Sequence, residues 1–233
     1  MSGEHQIIMR KLLQLAALVF TITAATRAQV SDPNKLIAPP PPPISFHSRH
    51  VAIPNFQWLW QYTQPAPDGN EAGLLVDPHF DSFLDDNLKA PQSFFRDGKV
   101  SLSAVAHSYF GMIFSPVRGI DNRYITFNSC VPHDCTRHGL IWVDTAPQHP
   151  TVVFAATEWT TQGKPETDPD AEYNLWVFSN RPLDPEHPPT ALMSAIQQWN
   201  PQQHIKNALV IDPDGTPHQV NPATLGATPA PTK

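Results

Sequence analysis

The segment closed by the two cysteines of the chain carries side chains that could recognise acidic groups. It consists of Cys130, Val131, Pro132, His133, Asp134 and Cys135, and the chain contains no other cysteine. A neutral imidazole offers one hydrogen-bond donor and one acceptor, and a protonated imidazole offers two donors. His133 on an exposed loop could therefore bridge two carboxylates of a partner protein. The alternative is a surface histidine without contacts, since histidine occurs 11 times.

Three rival chemistries would use residues of this segment or next to it. A metal site could combine His133, Asp134 and His138, but the two-residue spacing between cysteines that is typical of zinc sites is absent. A thiol nucleophile would need a reduced Cys135 beside His133 or His138. A redox disulfide normally has two residues between its cysteines, whereas four separate these. No phosphate-binding glycine loop and no nucleophile elbow occurs. We therefore expect a protein that is not an enzyme and that holds neither a metal nor another cofactor.

Residues 1–28 have the features of a secretory signal peptide. Arg10 and Lys11 precede an apolar run from Leu12 to Ile22, and small residues near residue 28 suit a signal peptidase. The run is shorter than the roughly 20 residues that a membrane-spanning helix needs. The sequence therefore predicts a periplasmic or secreted protein without a membrane span in its mature form. In such a compartment two cysteines tend to form a disulfide.

A disulfide across this short loop would act mainly on the loop itself. It would contribute about 2 kcal/mol in the chain-entropy model, which is modest for a chain of 233 residues. Pro132 restricts the loop further, because its ring fixes the backbone φ angle. A partner that binds a restricted loop loses less conformational entropy. The pattern thus favours a binding loop, and a disulfide that merely fastens the end of a hairpin is an equally open alternative.

The composition separates a central domain from two proline-rich ends. Of the 233 residues, 27 are proline, and 15% are charged. The usual background is about 5% proline and about 25% charged residues. We expect a proline-rich spacer at 29–52 and a proline-rich C-terminal tail at 201–233. The net charge is −6, and removal of residues 1–28 leaves 12 positive and 20 negative groups, or −8. This charge argues against a nucleic-acid partner and favours a basic protein partner.

The domain between these ends, residues 53–200, combines strands and helices. Strands are predicted at Tyr124–Cys130, Gly139–Thr145, Thr151–Thr157 and Tyr173–Phe178, with a fifth strand possible at Leu209–Ile211. Their short connections favour antiparallel pairing. A helix should begin after Asp77-Pro78, and a last helix should begin near Thr190 and pack an apolar stripe on the sheet. Gln57–Tyr62 is either an edge strand or a segment packed on the domain, and Val100–Phe114 leaves helix and strand both open.

These elements predict an α+β fold in which helices flank an antiparallel β-sheet of four to five strands, with proline-rich N- and C-terminal extensions.

The loop resembles the Cys-Lys-Pro-His-Asp-Cys signature of the inhibitor of vertebrate lysozyme family, known as Ivy. The surroundings agree: a strand led by Tyr124 precedes the loop, a hydrophobic strand follows it, and a late strand with Leu175-Trp176 leads through Pro182 to the closing helix. The resemblance extends from about Asp77 to Trp199. It implies a periplasmic protein of antiparallel strands and flanking helices, whose protruding loop plugs the active-site cleft of C-type lysozyme.

By the same resemblance, each loop residue has an expected role. His133 would enter between the two catalytic carboxylates of the enzyme, Asp134 would add contacts, and a Cys130–Cys135 disulfide would hold the loop rigid. Lysozyme acts with one protonated and one ionised carboxyl group, so an imidazole that engages both blocks the reaction. Val131 stands where the family has lysine. This departure leaves open another muramidase or a lytic transglycosylase as the target, or an envelope-associated binding module without inhibitory activity.

Overall fold

The computed structural model describes residues 55–63, 71–112, 115–160, 168, 170–200 and 203–231. The predicted signal peptide (1–28) and spacer (29–52) lie outside the described residues. The described residues form an α+β fold, as the sequence predicts, around a single mixed β-sheet.

The elements have the following bounds. The described helices are α1 (Glu71–Leu75), α2 (Pro78–Asn87), α3 (Leu102–Tyr109) and α4 (Thr190–Trp199), and 3₁₀ segments occur at Gln57–Tyr62, Arg96–Gly98 and Pro222–Leu225. The strands are β1 (Arg118–Ile120), β2 (Tyr124–Val131), β3 (Asp134–Asp144), β4 (Thr151–Trp159), β5 (Glu172–Ser179), β6 (His204–Ile211) and β7 (Pro217–Val220).

The prediction of four to five antiparallel strands is wrong in number and in one pairing. Within the described residues the sheet has seven strands in the order β1 to β7, and every neighbouring pair is antiparallel except β5 and β6. The parallel pair arises because α4 returns the chain to the end of the sheet at which β5 starts. A connection through a helix is long enough for such a crossover, whereas the short turns between the earlier strands are not.

The C-terminal region is part of the sheet instead of a tail from residue 201 onward. Ile205, Ala208 and Val210 of β6 are buried. The prolines of this region occupy positions that tolerate them. Pro217 opens β7, an edge strand, where a missing N–H is acceptable, and Pro222 begins the last 3₁₀ segment.

Helices cover both faces of the sheet. One hydrophobic cluster joins α2 and α3 to the first face and includes Phe80, Phe83, Leu84, Val105, Tyr109, Phe127, Phe154 and Phe178. The other cluster joins α4 to the second face and includes Leu192, Ala195, Ile196, Trp142, Leu175 and Val177. The predicted packing of the apolar stripe of α4 on the sheet is therefore confirmed.

Local signals account for the helices that carry the first face. Asp77 caps α2, because its carboxylate accepts a hydrogen bond from the backbone N–H of His79 at 2.8 Å, and Pro78 follows as the first helical residue. The hydroxyl of Ser101 caps α3 by accepting from Ala104 N at 3.2 Å. The ambiguous segment from residue 100 is thus helical up to residue 109, residues 110–112 are not a strand, and residues 113–114 are outside the described part.

Candidate functional site

The cysteine-closed segment is a tight β-hairpin. β2 ends at Val131 and β3 begins at Asp134, and these two residues are paired across the hairpin, so the turn itself consists of Pro132 and His133. Proline at the first turn position and a positive φ angle at the second are typical of a type II turn. The turn places an exposed His133 at the tip.

The backbone conformation at His133 is one that side chains disfavour. Its φ angle is +65°, in the left-handed region that glycine and asparagine occupy with least strain. The chain nevertheless has a histidine at this turn position. Backbone strain of this kind collects at functional sites, so the imidazole is a candidate contact group.

The predicted disulfide is present and spans the two strands next to the turn. Cys130 and Cys135 are bonded, with their Cα atoms 5.0 Å apart. Cys130 is buried and Cys135 is exposed. The pairing of β2 and β3 shifts between Cys130 and Val131, because Cys130 pairs with His138 while Val131 pairs with Asp134. The covalent link therefore fastens the hairpin at the point where the regular ladder is interrupted.

The hairpin rests on the C-terminal end of α3. A Cβ atom on Gly111 would lie 3.2 Å from Cγ of Pro132, so the turn packs directly on this backbone. The hydroxyl of Ser129 donates to the carbonyl of Met112. Val131 is partly buried and packs against the first hydrophobic cluster. These contacts support the hairpin from below and leave its tip free.

A second contact holds β3 against α3. A Cβ atom on Gly139 would lie 2.9 Å from Cδ1 of Tyr109, a separation that only glycine permits without a shift. The hydroxyl of Tyr109 donates to the carbonyl of Thr157 at 3.3 Å, and the hydroxyl of Thr157 accepts from the backbone N–H of His138 at 3.2 Å. One buried tyrosine thus links α3, β3 and β4 at the base of the hairpin.

Asp134 is oriented along the hairpin by its neighbours. The hydroxyl of Thr136 donates to Oδ1 of Asp134 at 2.5 Å, and Nε of Arg137 lies 3.4 Å from Oδ2. The guanidinium of Arg137 also lies over the ring of Phe95, 5.4 Å from its centroid, which is a cation–π geometry. Asp134 is therefore half-buried and partnered, in contrast to the exposed His133.

Behind the hairpin, four neighbouring strands bring polar side chains to one level of the sheet. We call this set the polar row: Arg137 on β3, Glu158 on β4, Asn174 on β5 and Asn207 on β6. Glu158 pairs with Asn174, and Asn174 pairs with Asn207. Side chains two positions apart along a strand share a face, so the polar row extends the first hydrophobic face to the hairpin end of the sheet. All four side chains of the polar row are partly buried.

The electrostatics of the polar row centre on Glu158. Burial raises the pKa of its carboxyl group, while the indole of Trp176, the guanidinium of Arg137 and the amide of Asn174 oppose this shift. Burial also raises the pKa of the Tyr109 phenol, and the charges of Arg137, Glu158 and Asp134 act on it as well. The base of the hairpin is therefore a cluster of interacting charges around a buried hydroxyl.

The rival chemistries receive no support from this geometry. Both cysteines are in the disulfide, so neither is a free thiol. Among the described residues no group of three or more His, Cys, Asp or Glu side chains could hold a metal ion. His133 is at the exposed tip, whereas His138 follows on β3, where it is half-buried. The three residues of the rival metal site are thus spread along the hairpin.

The hairpin residues were identified from the sequence, but the polar row was not. Arg137, Glu158 and Asn174 are far apart in the chain and meet only through the register of β3, β4 and β5. One signal was available in β4. Its first-face positions read Val152, Phe154, Ala156 and then Glu158, so an ionisable residue interrupts an otherwise apolar face.

Within the described residues no helix has both the length and the apolar composition to cross a membrane. Comparison of the chain with known protein families, with curated proteins and with solved structures finds no match.

Proposed function

We propose that this chain is an exported inhibitor of a lysozyme-type muramidase, and that His133 enters the active-site cleft of the enzyme. The observation that carries the proposal is the position of this imidazole. It is exposed at the tip of a two-residue turn that a disulfide closes from behind. The active-site cleft of an enzyme that cleaves polysaccharide is narrow, and a hairpin tip made of a two-residue turn is narrow as well.

The chemistry of the tip fits the catalytic groups of such an enzyme. A glycosidase of this class uses two carboxyl groups of unequal pKa. An imidazole can hydrogen-bond to both, and the charged form donates to each. His133 would therefore exclude substrate and at the same time occupy the proton donor.

The rigidity of the hairpin favours binding. The disulfide, Pro132 and the contacts with Gly111 and Met112 restrict the loop before a partner arrives. Restriction in advance reduces the conformational entropy that is lost on association. The consecutive antiparallel strands β1–β5 and the flanking helices are also in keeping with the Ivy resemblance, and an oxidising compartment suits the disulfide.

Val131 bears on the choice of target. The related signature has lysine at this position, whereas Val131 packs against the hydrophobic cluster beneath the hairpin. The loop consequently lacks the lysine cation that could meet an acidic cleft. We propose C-type lysozyme as the first target to test, with other muramidases and lytic transglycosylases as related targets.

The test is an inhibition panel with the disulfide-bonded protein. The wild type is expected to inhibit at least one of these enzymes at about a one-to-one ratio. His133→Ala should inhibit at least about 30-fold more weakly, which corresponds to the loss of a central contact residue. His149→Ala is the matched control, because His149 is also exposed but lies between β3 and β4, away from the hairpin tip. It should inhibit like the wild type.

Equal inhibition by wild type and His133→Ala would exclude the proposed mechanism. Inhibition of none of the enzymes, together with retention on peptidoglycan in a pull-down, would instead favour the envelope-associated binding module. The observation that favours this second function is the partly buried Val131, which stands where the related signature has lysine.

A further inference from the structure

Glu158 is an ionisable group in a place where the fold does not need one. It continues the first-face positions Val152, Phe154 and Ala156 of β4, all of which are buried. It lies at the hairpin end of the sheet. Gly139 of β3 pairs with Ala156 of β4, and two residues further towards the hairpin these strands carry Arg137 and Glu158. An apolar or amide side chain would satisfy this position equally well.

The cation near Glu158 is already engaged elsewhere. Among the described residues Arg137 is the cation that acts on Glu158. Its guanidinium lies 3.4 Å from the Asp134 carboxylate and over the ring of Phe95. Within this part of the chain no ion pair of 4.0 Å or less joins Arg137 to Glu158. The guanidinium is thus engaged by Asp134, and the Glu158 carboxylate has a negative charge that a further cation could balance.

The residues beside Glu158 on the next two strands are neutral. Asn174 of β5 pairs with Glu158 across the sheet, and the amide of Asn207 donates to Oδ1 of Asn174 at 2.9 Å. This arrangement places a carboxylate at the base of the hairpin without a cation of the described residues paired to it. Because burial raises the pKa of Glu158, its ionised form is less stable in the folded protein than in water.

We propose that Glu158, which lies next to Asn174 in the polar row beside the hairpin, is a subsite that binds a lysine or arginine side chain of the target enzyme. The proposal rests on the proposed function and adds a second contact to the one made by His133. A basic partner is the occupant that the charge supports, since the chain has a net charge of −6 and the cluster of Asp134, Arg137 and Glu158 is negative. Half-buried carboxylates bind an incoming cation more strongly than exposed ones, where water screens the interaction.

The experiment compares the wild type, the His133→Ala variant and three further variants against the enzyme that the wild type inhibits. Glu158→Gln removes the charge and keeps the shape, and we expect it to raise the dissociation constant at least tenfold, since loss of one member of a partly buried ion pair weakens binding to this extent. Glu186→Gln is the matched control. It makes the same substitution at an exposed residue between β5 and α4, and its dissociation constant should stay within about twofold of the wild type.

Arg137→Met tests the subsite with a substitution that should not weaken binding. It removes the competing guanidinium but keeps an apolar stem over Phe95. If a cation of the enzyme occupies the subsite, this variant should bind at least as tightly as the wild type. Unfolding curves of all variants in urea check that each is folded at the assay temperature.

The outcomes separate the two proposals. If Glu158→Gln binds like Glu186→Gln while His133→Ala loses inhibition, the subsite is wrong and the inhibitory hairpin stands. If Arg137→Met loses binding, Arg137 itself contacts an acidic group of the enzyme and the subsite is again wrong. If the wild type binds no muramidase, the proposed function and the subsite are both wrong.

Discussion

At the scale of single residues, His133 and Glu158 both occupy positions that simple folding rules would give to other residue types. His133 has a positive φ angle in a turn where glycine is favoured. Glu158 interrupts a buried face with a carboxyl group whose pKa burial raises. Exceptions of this kind tend to coincide with functional sites. Both residues lie at the hairpin end of the sheet, which is why we assign binding to that end.

Replacement of His133 should separate stability from inhibition. His133→Gly and His133→Ala both remove the imidazole, so both should lose inhibition. The glycine variant should be more stable than the alanine variant by about 1 kcal/mol, because a positive φ angle strains any residue with a Cβ atom. Urea unfolding measures the difference. A less stable glycine variant would show that the turn does not impose this strain.

Glu158→Gln should make the isolated protein more stable at neutral pH. The folded pKa of Glu158 is raised above its ordinary value of 4.5, so the folded state binds the proton more tightly than the unfolded state. Stability from this group is therefore greatest in acid and falls as the pH rises from 4.5 through the folded pKa. Unfolding curves should favour the variant at pH 7 and converge with the wild type below pH 4.5. A variant that is less stable at pH 7 would contradict this reasoning.

At the scale of elements, the β2–β3 hairpin is a supported unit and not an isolated loop. α3 lies beneath its turn, Tyr109 packs on Gly139 at its base, and the disulfide joins its strands. The sequence revealed the hairpin because its key residues are consecutive in the chain. It could not reveal the polar row, because Arg137, Glu158 and Asn174 meet only through the register of three strands.

Removal of the disulfide should affect binding more than folding. In a Cys130→Ala/Cys135→Ala variant, the free energy of unfolding should fall by about 2 kcal/mol, the value for so short a closed loop. The hydrophobic clusters do not depend on this bond, so the variant should still fold. Inhibition should weaken at least tenfold, since the hairpin becomes more variable. Unfolding curves and inhibition constants are the measurements, and unchanged inhibition would show that contacts with α3 alone fix the hairpin.

At the scale of the whole molecule, the sheet is larger than the sequence pattern indicated. The longer strands β2–β5 were predictable from their apolar, β-branched composition. β1 and β7 were missed because three- and four-residue edge strands carry little pattern. β6 was largely missed because its register shifts opposite Tyr173 and Asn174, which interrupts the alternation of apolar residues. Its parallel pairing with β5 depends on the path through α4, which no local pattern encodes.

The C-terminal region should be essential for folding. A chain that ends at Asn200 would lose β6 and β7 and expose apolar surface on β5 that Ile205, Ala208 and Val210 help to bury. We expect this truncated protein to be unfolded or aggregated, as judged by circular dichroism and by the absence of a cooperative thermal transition. A cooperative transition like that of the full chain would mean that residues 201–233 are dispensable, as a tail would be.

The central claim is that His133 occupies the active-site cleft of a muramidase. Its most direct test is the dissociation constant of the complex with C-type lysozyme, measured at increasing concentrations of a saccharide that fills the same cleft. The account predicts that the apparent dissociation constant rises in proportion to the saccharide concentration, as for two ligands that exclude each other, and that His133→Ala binds weakly throughout. Binding that is unaffected by the saccharide, or no binding by the wild type, would contradict it.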